Sequence, residues 1–84
     1  MNVSEIDIMT ALKNFITTNI LDASVQINED TVLAQAGVDS FSTVEIILFI
    51  EREYHVSFPD DKLLPENFKS IRALAALVKE LHVA

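Results

Sequence analysis

Ile8, Met9, Leu12, Phe15 and Ile16 recur at the spacing of one helix face, with Lys13 and Asn14 off it. Ser4 stands three residues before Asp7 and resembles a capping box, so a first helix is predicted over about 5–18. A second stripe, Thr43, Ile46, Ile47, Ile50 and Tyr54, predicts a helix over about 40–54. Ile71, Leu74, Ala75, Val78 and Leu81 predict a last helix behind Ser70 as N-cap. Between the last two, Pro59 biases Phe58 away from helical backbone. Asp60 or Asp61 is then expected to cap a short third helix of a turn or two, ending near Pro65. Asn19 to Val38 is different. It carries the breakers Asn19, Asp22, Ser24, Asn28 and Asp30 among scattered apolar residues. A long loop in a small domain has to be pinned by its own apolar side chains, so it reads as an ordered crossover with one short turn near Thr31–Gln35. The expected fold is all-α: a four-helix bundle of three longer helices and one short helix 3, with a long loop between helices 1 and 2.

The second helix is apolar beyond its core stripe, because Phe41, Val44, Leu48 and Phe49 lie outside the stripe's centre, beside Glu45 and Arg52. Such a helix is either centrally buried or offers an apolar patch to a partner. Full burial is hard to arrange in a chain of this size. A partner-docking surface around Phe41, Val44, Glu45, Leu48 and Arg52 is therefore expected. The competing reading is that Phe41 or Phe49 packs against the long loop. In the last helix Ala73, Ala75 and Ala76 are small enough to permit close approach or leave space, which makes Ala75 a candidate lining residue for a groove between helices.

Just ahead of the second helix stands the only glycine, Gly37, a natural reversal point because glycine tolerates positive φ. Asp39 is a preferred N-cap and puts Ser40 at the first helical position, while Ser42-x-x-Glu45 also fits a capping box and would shift the start. In both cases the Ser40 hydroxyl lies at the mouth of a helix.

Composition narrows the classes. Eighty-four residues make one domain, and half of them are hydrophobic, enough for a small helical core. There is no cysteine, hence no disulfide, zinc-thiolate site or thiol chemistry from the chain itself. The formal charge of −7 disfavours nucleic acid and anionic membranes and favours basic partner proteins. No apolar run reaches the ~20 residues of a membrane span, and the N-terminus lacks a basic signal-peptide segment, so a cytoplasmic protein is expected.

Ser40 as a self-sufficient nucleophile would need a base oriented by a third group. The two histidines, His55 and His82, lie past the end of the second helix and near the C-terminus, read as lone surface residues, and have no supporting motif. Gly37-Val38-Asp39-Ser40-Phe41 is not a Gly-x-Ser-x-Gly elbow. The Asp60-Asp61 pair lacks the alternating oxygen ligands of a calcium loop and reads as capping. No catalytic and no metal-binding residue is expected.

Gly37-Val38-Asp39-Ser40-Phe41 followed by Thr43-Val44-Glu45 resembles the attachment motif of acyl carrier proteins and peptidyl carrier domains, and the likeness runs from the long loop to the last helix. The resemblance implies a 4′-phosphopantetheine arm on Ser40, moved there from coenzyme A by a phosphopantetheinyl transferase in a magnesium-dependent step. It implies that Asp39 supports transferase recognition besides capping. It further implies that an acyl- or aminoacyl-activating ligase loads the arm for downstream transferases, that Val44, Glu45 and Leu48 contact partners, and that the carrier is a monomer with no enzymatic activity. The acceptor role is physically sound. A helix N-terminus favours a phosphodiester by roughly 0.3–1 kcal/mol, and a tethered arm makes later encounters effectively intramolecular.

Phe41 stands where the family often has leucine, Ser42 and Arg52 where fatty-acid carriers usually have acidic residues. Over 39–53 four acidic residues face one arginine, a muted acidic helix. Because complementary charge sets partner choice and on-rate, a specialised carrier is favoured over the housekeeping fatty-acid carrier. Asp39-Ser40-Phe41 with Thr43-Val44-Glu45 is similar to D-alanyl carrier proteins, and the C-terminal half resembles stand-alone aminoacyl carriers. The rival from another class is an unmodified acidic helical module that binds a basic protein. It predicts that Ser40 matters only as part of a cap.

Overall fold

A computed structural model describes residues 4–83 and contains four α-helices, with no strand among the described residues. Helix α1 runs Glu5–Asn19 and starts where the Ser4 hydroxyl accepts the Asp7 N–H at 3.3 Å. Helix α2 is the single turn Leu33–Ala36, α3 runs Ser40–Tyr54, and α4 runs Ile71–Val83. Ser70 caps α4 by accepting the Ala73 N–H at 3.1 Å. The three long helices thus begin at the residues their caps predict, and α1 continues one residue past the predicted end.

The core is a single cluster. Ile8, Leu12 and Ile16 of α1, Ile46 and Ile50 of α3, and Ile71, Leu74, Ala75 and Val78 of α4 are buried together with Ile27, Leu33 and Val38 from the crossover. Helix α4 packs chiefly along α1, and α3 lies against both. Each long helix buries one face, which is why period-3.6 spacing predicts the contacts. Thr43, Ile47 and Tyr54 flank the α3 stripe half-buried. Leu77 is buried although the α4 stripe leaves it out, and Leu81 is only half-buried.

The crossover is ordered as expected, by side chains that substitute for secondary structure. Asp22 accepts the Ser24 N–H at 2.9 Å, and Asn28 and Thr31 bond across a turn, the Asn28 N–H reaching the Thr31 hydroxyl at 2.9 Å. Its short turn falls two residues later at its start than the spacing suggests. Gly37 closes it with φ +116°, a region open to glycine and strained for other residues.

Several expectations need correction. The third helix is not an α-helix: Asp60–Lys62 and Pro65–Phe68 are separate 3₁₀ turns with Leu63 and Leu64 between them. Pro65 has no N–H to give and holds Leu64 extended (φ −104°, ψ 142°), so the first turn cannot propagate. Neither Asp60 nor Asp61 caps that turn with its side chain. The N–H of Phe58 just before it goes instead to the Glu51 carboxylate at 3.1 Å. Second, Phe49 does pack inward, but against α1: its ring stacks on Phe15 at 4.3 Å. Third, Ala76 is exposed and Ala73 half-buried, while Ala75 is fully buried in the core and takes no part in lining the groove described below. His82 is half-buried rather than a surface residue.

Helix α3 ends at His55 in left-handed conformation (φ +54°, ψ +45°), a position glycine fills without a Cβ penalty. His55→Gly removes left-handed Cβ strain of about 1–2 kcal/mol against an entropic cost of glycine of about 0.5–1 kcal/mol, so a net stabilisation of about 0.5–1 kcal/mol is expected, read as a higher denaturant midpoint at unchanged slope.

Candidate functional site

Asp39, not Ser42, opens α3. Its backbone is extended (φ −98°, ψ −175°) and its carboxylate accepts the Ser42 N–H at 2.8 Å. Its carbonyl takes both the Thr43 N–H and the Thr43 hydroxyl at 2.9 Å. This fixes Ser40 as the first helical residue, exposed, one step from a doubly anchored cap. The hydroxyl therefore sits at the positive end of a four-turn helix in a defined frame.

The Ser42 backbone N–H, and after it the Ser42 side chain, hold the Asp39 carboxyl below the ordinary aspartate range. Asp39 is thus an anion at neutral pH. A group whose folded pKa is depressed contributes stability above its unfolded pKa and loses it as pH falls through the folded value. Acid is therefore expected to release the α3 cap: the Ser42 amide resonance should shift with a midpoint below that of an unperturbed aspartate, and Asp39→Asn should abolish the transition.

Beside Ser40 lies a groove of about 690 Å³. Val32, Leu33 and Val38 form one wall, Thr43 and Ile47 of α3 the floor, and Leu63, Leu64, Pro65 and Phe68 the other wall, with Glu66 and Lys69 as its charged residues. It is largely apolar, and Ser40 is part of its lining. Phe68 is braced from behind by Phe58, ring centroids 5.9 Å apart. Sequence reasoning overlooked this second wall. The exposed pair Leu63-Leu64 ahead of Pro65 was the available signal, since apolar residues between two turns have no helix face to join.

The expected docking residues lie along α3 from the same end. Phe41 is 74% exposed, Val44 54% and Leu48 50%, with Glu45 and Arg52 also exposed. At 100° per residue Phe41, Val44, Glu45, Leu48 and Arg52 form one continuous stripe starting next to Ser40. Phe41 does not pack on the long loop. Single exposed apolar residues are ordinary, but three in register on one helix are not. Among the described residues no three His, Cys, Asp or Glu side chains are grouped to hold a metal, and no helix is long and apolar enough to cross a membrane.

Residues 16–78 match the model of a family described as "phosphopantetheine attachment site". The chain is also similar to aminoacyl carrier protein 2 of Bradyrhizobium diazoefficiens, 25% identical over 84% of this chain and 78% of that protein. Aminoacyl carrier protein 1 of the same organism is 30% identical over 84% of this chain and 77% of its own length. The aminoacyl carrier protein of Agrobacterium fabrum is 38% identical over a shorter stretch, 63% of this chain and 64% of that protein.

Proposed function

This chain belongs to the phosphopantetheine attachment-site family, and from that premise we propose that Ser40 carries the 4′-phosphopantetheine arm and that an aminoacyl group is the cargo presented to partner enzymes. Members of the family tether substrates for other enzymes and are not themselves catalysts. When bound, the arm supplies the thiol that the cysteine-free chain lacks. The observation that carries the reading is the exposed Ser40 hydroxyl at the first position of α3, behind an ionised Asp39 cap and on the rim of a groove.

The residues fit the group. An exposed hydroxyl can enter a transferase's active site without unfolding the helix. The first-turn N–H groups and helix dipole offset the charge of the phosphodiester that results. Asp39 holds that turn in place and presents a carboxylate to the transferase. Phe41, Val44, Glu45, Leu48 and Arg52 form the face that the transferase, the activating ligase and downstream transferases engage. Arg52 puts a positive charge at its far end, so partners of this protein differ in charge pattern from those of a uniformly acidic helix. The whole of 1–84 acts as one carrier domain, monomeric, in the cytoplasm, within a specialised biosynthetic pathway.

The aminoacyl cargo is supported by the names of three relatives. The apolar groove beside Ser40 favours a second reading, an aliphatic acyl cargo, because burying hydrocarbon is worth about 25 cal/mol per Å². Incubation with coenzyme A, magnesium and a broad-range phosphopantetheinyl transferase, followed by fragment mass mapping, tests the site: the added mass is expected on Ser40 and on no other serine. Screening the product against amino acids and fatty acids with their ligases then separates the cargoes. No mass gain with several transferases would overturn the proposal and leave the unmodified interaction module.

A further inference from the structure

We propose that Asp30 and Arg72 are positioning residues that hold the two walls of the groove beside Ser40 together and so set its width. The two residues are 42 apart in sequence, yet the Arg72 guanidinium grips the Asp30 carboxylate with two hydrogen bonds, Nε to Oδ1 at 2.7 Å and Nη2 to Oδ2 at 3.2 Å. Backbone bonds flank this fork. The Arg72 N–H donates to the Glu29 carbonyl at 2.9 Å, and the Leu33 N–H donates to the Lys69 carbonyl at 2.9 Å. Leu33 and Lys69 both line the groove, and Lys69 directly follows Phe68 of the second wall. The ion pair is three residues before Leu33 on one side of this seam and three after Lys69 on the other, so it locks the seam at its outer end.

The seam reaches the attachment residue by a short path. The Leu33 carbonyl accepts the Val38 N–H at 3.0 Å, and Val38 is followed by the Asp39 cap and Ser40. What holds Leu33 against Lys69 therefore also holds the loop that carries Ser40. Among the described residues the other ion pair, Lys62 to Glu80, is a single contact at 3.3 Å between residues that do not line the groove. Bidentate geometry is the arrangement in which a surface pair has a measurable effect. Because Asp30 and Arg72 are both exposed, the lock is open to screening by salt.

The test is amide hydrogen exchange on the unmodified protein, so it stands or falls independently of arm attachment. Asp30→Asn is expected to accelerate exchange of the Leu33 and Arg72 amides by about 1.5- to 5-fold, the opening expected for loss of one surface pair. Leu74 in α4 and Ile50 in α3 should keep wild-type rates, Asp30→Glu should keep most of the protection, and Glu80→Gln should leave Leu33 and Arg72 unchanged. Raising salt should accelerate Leu33 exchange in the wild type and have no such effect in Asp30→Asn. Unchanged exchange at Leu33 and Arg72 in Asp30→Asn, or equal acceleration at Leu74 and Ile50, would overturn the proposal; the second result would make the pair a contributor to overall stability alone.

Discussion

Ser40→Ala is expected to abolish arm attachment completely and to leave the fold intact. Alanine is a good helix former at a first-turn position, and the exposed hydroxyl makes no hydrogen bond that the cap depends on, since Asp39 supplies the carboxylate for Ser42 and the carbonyl for Thr43. A surface change of this kind moves stability by no more than about 0.5 kcal/mol. Intact mass after transferase treatment reads the first outcome, and a thermal melt reads the second. Ser42→Ala is the matched control. Ser42 lies two residues on, its N–H is retained in any variant, and attachment should proceed. An arm on the Ser40→Ala protein would remove Ser40 from the site, and its absence from Ser42→Ala would bring the Ser42 hydroxyl into the attachment step. An unfolded Ser40→Ala would show instead that the hydroxyl is structural, an outcome outside the rival interaction-module reading too, which expects Ser40→Ala to be nearly harmless.

The second large effect is on stability. Leu12 is fully buried in α1, within the cluster that joins α1, α3 and α4. Leu12→Ala removes its methyl groups and leaves a cavity that three helices must collapse around, at a cost of about 2–5 kcal/mol. Proteins carry only about 0.05–0.15 kcal/mol of net stability per residue, so this is a large fraction of the total for a chain of 84 residues. The melting temperature should fall by about 8–40 °C, using the shift per kcal/mol typical of domains of this size. A drop of only a few degrees would mean that the core does not run through Leu12 as described. Arm attachment measured well below the new midpoint should be preserved, because Leu12 neither caps α3 nor lines the groove beside Ser40. Stability and acceptor function would thereby separate.

The hydrophobic period and the caps of this chain determined a great deal by themselves. A helix face at period 3.6 and an N-cap side chain are interactions within four residues, and local interactions are written locally. Ser4, Asp39 and Ser70 therefore mark the starts of α1, α3 and α4, and Gly37 marks the reversal before Ser40. The resemblance to a carrier family was legible for the same reason, since it rests on a contiguous run around Ser40.

Tertiary structure decided what depends on distant partners. Whether Phe49 stacks on Phe15 or on the long loop is a choice between two apolar surfaces of similar value, settled only when α1 and α3 meet. The stretch from Asp60 to Phe68 has two turns in place of a helix because Pro65 interrupts it and Glu51 takes the Phe58 N–H from seven residues away. Ala75 is small and sits on the core side of α4, yet the groove is walled by Leu64 and Phe68. The pairing of Asp30 with Arg72 was beyond reading, because each is an ordinary surface charge until the crossover folds back on α4. Groove shape follows from how three segments meet, and packing of that kind is not a periodicity in any one of them.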